Sequence, residues 1–329
     1  MSRFIQFAKA GGPEVLEFID TIVAAPAENE VRIKVKAIGI NRAEAMWRVN
    51  DYIEPVKFPA RLGYEAAGVV DAIGTNVQGI AVGDEVNVMP SFSMNDYGTY
   101  GEVITVPDYA VIPKPKSLSA VESASIWMMF VTAYGALIED ANVGTGDFVL
   151  IPAASSSVGL AAIQIARYAG ASVIATTRTA TKKQQLLDAG ANHVIVTDDS
   201  DLLAEVQRIT NGAGVGVVFD PVGGASFRTL ISALSFQGTA FIYGALSPEA
   251  TELPVLEMIA KLVTVKAHNI WGTSGDPVRR KTAVEYVLKG LESGALKPII
   301  SRVFKFDEMR EAHSYLEQNG QFGKIVVTL

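Results

Sequence analysis

Apolar and polar positions follow two different rhythms along the chain. Up to residue 122 the dominant period is two. Val31, Ile33 and Val35 alternate with Arg32, Lys34 and Lys36, the pattern of a strand with one face in the core and one in water. Residues 1–9 alternate similarly, and 68–74 and 85–89 read as further short strands. Turn signals at Val82-Gly83-Asp84 and Gly98-Thr99-Tyr100-Gly101 punctuate them. Short strands at this spacing predict a barrel or sandwich.

After Pro113-Lys114-Pro115 the rhythm changes. Strand-like runs at 148–151, 172–176, 194–196, 215–219 and 240–243 alternate with helical stretches at 158–168, 181–189 and 202–210. Strands interleaved with helices imply a parallel, doubly wound sheet. A helix is expected over 277–293, then strands near 301–306 and 324–328. The result is an α/β chain. A β-rich domain is built from residues 1–124 and 272–329, and a Rossmann domain, 125–271, is inserted between its parts.

Composition narrows the chemistry. The 329 residues are 49% hydrophobic, and 28 Lys and Arg face 35 Asp and Glu, a formal net charge of −7. Such an acidic balance argues against a broad nucleic-acid surface. With no cysteine, the chain has no disulfide, thiol nucleophile, iron–sulfur cluster or cysteine-ligated zinc. Of the three histidines, His193 at a strand start and His313 on a helix are expected at the surface. His268 falls in 265–271, expected to form the edge strand of the sheet. The start of the chain reads as a strand and not as a leader, so the cytoplasm is the expected location. The longest uncharged run, 148–166, contains Pro152, three serines and Gly159. It reads as strand, turn and helix, and no membrane partner is expected.

The strongest motif is where strand 148–151 meets Pro152-Ala153-Ala154-Ser155-Ser156-Ser157-Val158-Gly159 and opens a helix. Small residues let the backbone approach a pyrophosphate, and free N–H groups at a helix N-terminus meet its charge. Ala154, Ser156 and Gly159 occupy the places of the G-x-G-x-x-G pattern. Ser155, Ser156, Ser157, Val158 and Gly159 are therefore candidate cofactor contacts, with a plain serine helix cap as the alternative. The second strand selects the cofactor. NAD enzymes usually place an acid about 20 residues on, against the ribose. Here Thr177-Arg178-Thr179-Ala180-Thr181-Lys182 has none. Arg178 and Lys182, with Thr177, suit the 2′-phosphate of NADPH, unless they are merely solvated charges at a helix start. Gly244 and Ala245 follow another strand, where backbone groups reach the nicotinamide. Asp220 to Gly224 stays open between a second contact and a simple turn.

Six segments then occur in order: Lys36-Ala37-Ile38-Gly39-Ile40-Asn41-Arg42, Leu62-Gly63-Tyr64-Glu65-Ala66-Ala67-Gly68, Val82-Gly83-Asp84-Glu85-Val86, Thr132-Ala133-Tyr134-Gly135, Asp188-Ala189-Gly190-Ala191 and Phe322-Gly323-Lys324-Ile325-Val326. Together, over nearly the whole chain, they make it resemble the medium-chain dehydrogenase/reductase superfamily, in its zinc-free quinone oxidoreductase (zeta-crystallin-like) branch. The resemblance implies a GroES-like β-rich domain around the Rossmann insert and NADPH-dependent reduction of a quinone or α,β-unsaturated carbonyl. It also implies a homodimer paired through the Rossmann edge strand. Zinc relatives carry ligands where this chain has Asn41, Tyr64 and Met128. Without a Lewis acid a simple carbonyl is hard to polarise, whereas a conjugated acceptor delocalises its own developing charge.

By the same resemblance Asn41 and Tyr52 line the substrate and nicotinamide cleft, Thr132 lies near the nicotinamide, and Lys182 meets the 2′-phosphate. Asn319 and Lys324 complete the cofactor set. Asn41, Tyr52 and Tyr64 are the candidate catalytic donors, with packing as the alternative for Tyr64. Thr197 and Asn319 depart from the tyrosine and arginine of related enzymes, and Ser156-Ser157 replaces their Gly-Gly. Two rival functions remain: an NADPH-binding structural or sensing protein that has lost catalysis, and a zinc dehydrogenase with unusual ligands.

Overall fold

The two rhythms become two units. In the computed structural model, which describes residues 1–329, Met1–Met128 and Pro298–Leu329 form one unit and Met129–Lys297 the other. The expected boundary at 272 is therefore corrected to 298. Helix Pro277–Glu292 packs inside the second unit, where Arg279 Nε donates to Glu139 at 2.6 Å. Tyr286 lies 4.9 Å from the Tyr134 ring and 5.3 Å from that of Tyr168. Gln164 clamps the backbone of Lys297, donating to its carbonyl at 3.0 Å and accepting from its N–H at 2.6 Å. An amphipathic helix reveals which face is buried, but not against which neighbour.

The first unit is built on the long strand Glu30–Ile40, which pairs antiparallel with Glu65–Ile73, Val103–Pro107 and Lys324–Thr328 in a seven-stranded sheet. The expected alternation is present: Val31, Ile33 and Val35 are buried, while Lys34 and Lys36 are exposed. It stops at Ala37, after which the strand is buried on both faces up to Asn41. Register then sets the site. Glu65 lies opposite Gly39, and Ile325 opposite Ile40. Residues 41, 65 and 324 are thus brought to one end of the sheet. A smaller sheet of Ser2–Phe7, Glu17–Thr21 and Ala60–Arg61 completes the strands of this unit.

His313 is fully buried, against the expectation of a surface position. On helix Met309–Glu317 the residues Met309, Ala312, His313 and Leu316 form one buried stripe at helical spacing. Arg48 donates to Nδ1 at 2.8 Å, which places the ring proton on Nε2, 3.1 Å from the Tyr100 hydroxyl. Arg48 is itself buried and also pairs with Glu317. His193 is exposed, as expected.

The second unit holds an all-parallel sheet in the spatial order His193–Val196, Ser172–Thr177, Phe148–Ile151, Val215–Asp220, Leu234–Ile242, Thr264–Ala267. Strand order reverses between Phe148–Ile151 and Val215–Asp220, so the loops that follow these two strands flank a topological switch point, where such sheets bind ligands. Leu150, Ile174, Val218, Phe227 and Leu230 are central to its core. The edge strand ends at Ala267, one residue short of His268. The stretch Ala120–Asp140 is long and apolar enough to cross a membrane, and 83% of its most apolar 18 residues are buried in the protein.

Burial, with the nearby charges of Arg48 and Arg42, pushes the His313 pKa down to about 3 from an ordinary 6.5. Between these values the unfolded chain binds the extra proton, so stability is lost as pH falls through the window. His313→Gln is expected to be less stable at neutral pH. It should nevertheless lose less additional stability than the native chain when urea unfolding is repeated below pH 6.5. Parallel losses in the two proteins would show that His313 contributes nothing to the acid limb.

Candidate active site

The strand Glu30–Ile40 hands over at Asn41 to the helix Arg42–Arg48. Glu44, one turn into that helix, folds back: its Oε2 accepts from the Asn41 backbone N–H at 2.7 Å and its Oε1 from Asn41 Nδ2 at 3.1 Å. The same Oε1 accepts from the Tyr64 N–H at 3.2 Å. On the other side of Asn41, Lys324 Nζ donates to Oδ1 at 2.5 Å and also engages Glu65. Glu65 Oε2 in turn accepts from the Met128 N–H at 3.0 Å. Two carboxylates and one ammonium, all but inaccessible to water, thereby hold Asn41, Tyr64 and Met128 in place. Gly39 makes room for this cluster, because a Cβ there would run into the Ala124 carbonyl and the Glu65 carboxylate.

Burial pushes the Glu44 carboxyl up to about 7, against the pull of Lys324 and the Asn41 hydrogen bond. The hydroxyls of Tyr52 and Tyr64 are neighbours. Burial raises both, Tyr52 to about 12 and Tyr64 further, so each is a neutral phenol at physiological pH. The predicted trio of Asn41, Tyr52 and Tyr64 therefore falls in one polar neighbourhood of the first unit. Asn41, Tyr64 and Met128 are poor zinc ligands by chemistry. No group of three or more His, Cys, Asp or Glu side chains in the chain is arranged to hold a metal ion, and the one amide at the three positions is engaged by Lys324 and Glu44.

Lys324 requires a correction. Expected at the cofactor, it is 1% exposed with its ammonium held by Asn41 and Glu65. The register that sets Ile325 beside Ile40 brings it there. Asn319 terminates helix Met309–Glu317 in a left-handed conformation at φ 57° and accepts from Arg42 through its side chain.

In the second unit the strand Phe148–Ile151 turns through Ala153 at φ 46° into the twelve-residue helix Ser157–Tyr168. A Cβ at Gly159 would lie 2.8 Å from Ala154 Cα, so this glycine lets the helix close onto the turn. The Ser156 hydroxyl caps the Gly159 N–H at 3.0 Å. Ser156 is thus the helix cap named as the alternative. The N–H groups of Ser157 and Val158 remain at the positive end of the helix. Lys182 reaches over the turn to donate to Ser155 Oγ at 3.2 Å. Burial, and then the charge of Arg178, lower its pKa. Arg178 is exposed, while the Thr177 hydroxyl is used locally on the Thr179 carbonyl.

Two further loops lie at the same end of the sheet. Asp220 accepts from the N–H groups of Val222 and Gly223, which makes 220–224 a turn built by its own carboxylate. The Leu246 and Ser247 N–H groups bond to the carbonyls of Pro221 and Val222, so the loop carrying Gly244 and Ala245 zips onto it. Thr132 is 6% exposed, and its carbonyl accepts from His268 at 2.9 Å. The small residues, the helix N-terminus and the two cations together fit a dinucleotide with a phosphorylated ribose.

Sequence reasoning missed Glu44 and Glu65. The first had a signal, because Asn-x-x-Glu ahead of a helix is a capping pattern. The second had only its position as a lone acid among Tyr64, Ala66 and Ala67.

Comparison with known proteins agrees with this architecture. Residues 27–116 match the family model for the alcohol dehydrogenase GroES-like domain, and 157–287 that for zinc-binding dehydrogenase. Quinone oxidoreductase of Salmonella typhimurium is 32% identical over 98% of both chains. The crystal structure of Escherichia coli quinone oxidoreductase complexed with NADPH superposes with a TM-score of 0.90 or better, at 0.91, with 30% identity over 100% of both chains. An NAD-dependent alcohol dehydrogenase structure gives a TM-score of 0.90 at 32% identity over 99% of each. The chain belongs to the quinone oxidoreductase branch of the medium-chain dehydrogenase/reductase superfamily.

Proposed function

We propose that this protein reduces quinones, and the related α,β-unsaturated carbonyls, with NADPH and without a metal ion. The observation that carries this reading is Asn41. Where zinc relatives hold metal, the chain has a buried amide anchored on both sides by charged groups. Such an amide donates a hydrogen bond to an oxygen that gains negative charge. It does not replace a Lewis acid, which is why conjugated acceptors suit the site better than simple ketones.

NADPH, when bound, supplies the hydride. The chain supplies position, polarity and dryness. Ser157 and Val158 N–H groups and Lys182 suit the diphosphate turn, and Arg178 with Lys182 suits the 2′-phosphate. The NADPH complex of the Escherichia coli relative supports this choice, as does the lack of an acid between Thr176 and Lys183 to meet a bare ribose. Tyr52 and Tyr64 are neutral phenols able to hold or return a proton near Asn41.

The proposal extends to a homodimer through the edge strand Thr264–Ala267. Support comes from the helix beside it, Val255–Lys261, where Leu256 is 84% and Ile259 63% exposed. An open sheet edge next to bare apolar side chains invites a second copy.

Loss of nicotinamide absorbance with a panel of quinones tests the activity. Turnover is expected, and in Arg178→Ala/Lys182→Ala the KM for NADPH should rise at least about tenfold more than that for NADH. Binding of NADPH without oxidation on any quinone would favour the structural or sensing role instead. For assembly, Leu256→Asp/Ile259→Asp should turn a dimer into a monomer by light scattering. A dimer that survives the pair of charges uses another face.

A further inference from the structure

An asparagine amide presents either its carbonyl or its NH₂ group, and the two ends are nearly isosteric. At Asn41 the choice is made by charge. Lys324 Nζ meets Oδ1 at 2.5 Å, and Glu44 Oε1 meets Nδ2 at 3.1 Å. Flipping the amide would set NH₂ against an ammonium and a carbonyl against a carboxylate, with both contacts turned repulsive. The carbonyl is used up by Lys324 and one N–H by Glu44. The second N–H is what Asn41 can offer a ligand.

We propose that Lys324 is a positioning residue that locks the Asn41 amide with its N–H outward, so that the site favours ligands bearing a carbonyl oxygen, a strong acceptor, over those bearing a hydroxyl, a weaker one. The inference rests on the reading of Asn41 as the group that faces the acceptor. It adds a direction to the reaction: a quinone carbonyl accepts strongly from this N–H, whereas a hydroquinone hydroxyl accepts more weakly and leaves.

Binding, not turnover, is the suitable readout. In the presence of NADP⁺, the dissociation constants of an unreactive aryl ketone and of the matching phenol are compared in the native protein, Lys324→Met and Glu65→Gln/Lys324→Met. The double variant leaves no unpaired charge at Glu65, and so keeps the test alive where the single one fails to fold. The native protein should prefer the ketone, and each folded variant should lose about tenfold or more of that preference, with NADP⁺ affinity unchanged. A ketone-to-phenol ratio unmoved in the folded double variant would overturn the proposal and leave Lys324 as the counter-ion of Glu65. A loss of NADP⁺ affinity with the ratio intact would also overturn it, and would return Lys324 to the cofactor. A native protein that prefers the ketone yet oxidises NADPH on no quinone would keep the orientation while defeating the proposed activity.

Discussion

One buried ammonium, surrounded by an amide and a carboxylate, ties the first unit together. Lys324 comes from the last strand, Asn41 from the end of the long central strand and Glu65 from the strand beside it. Glu44 closes the group from the following helix. A buried ion pair adds little over a well-packed apolar core, but removing one partner leaves a charge stranded at a cost of about 3–5 kcal/mol. The cluster therefore acts less as a source of stability than as a constraint on arrangement. Only one register of the C-terminal strand puts Lys324 where both Asn41 and Glu65 are satisfied. That same register fixes the backbone at Tyr64 and Met128 through the two carboxylates.

The second unit solves its problem with backbone. The glycine fingerprint of a dinucleotide turn has nearly vanished here, yet its physical requirements are met by other means. Ala153 adopts the left-handed conformation that a glycine would take freely. Ser156 spends its hydroxyl on the helix cap, and Gly159 alone supplies the close helix–turn contact. What remains for a ligand is a helix N-terminus with unpaired N–H groups and a lysine leaning over it. Positive charge at this turn thus comes from the backbone and from Lys182 and Arg178 together. The two loops beyond, 220–224 and 243–247, brace one another through main-chain hydrogen bonds, leaving Gly244 and Ala245 with small side chains at the surface of that brace.

Elements whose hydrophobic period is clean were legible in the sequence: the strands at 31–38, 148–151 and 172–176, and the helix at 158–168, lie where alternation and helical spacing put them. The helix Arg42–Arg48 escaped because its charged residues are not on its wet face; Glu44 and Arg48 are both buried. His313 escaped for a related reason. Period-based reading assigns ionisable groups to water unless a partner is visible, and its partner Arg48 lies 265 residues away. The Asn41–Lys324 and Glu65–Lys324 contacts span 283 and 259 residues. Phe322-Gly323-Lys324 could be matched to a family, but its lysine's partners appear only once the two ends of the chain are paired. The candidate site was thus legible in its backbone half and hidden in its ionic half.

The orientation of the Asn41 amide can be observed in the native protein itself. With nitrogen-15 restricted to asparagine, the side-chain Nδ2 signals of Asn41, assigned by their loss in Asn41→Asp, report both protons separately. One should be shifted and slow to exchange because it donates to Glu44, and its shift should follow the ionisation of that carboxyl with a midpoint near 7. The other should move when a quinone-like ketone is added. Two nearly equivalent, rapidly exchanging protons, indifferent to both pH and ketone, would contradict an amide locked between Lys324 and Glu44.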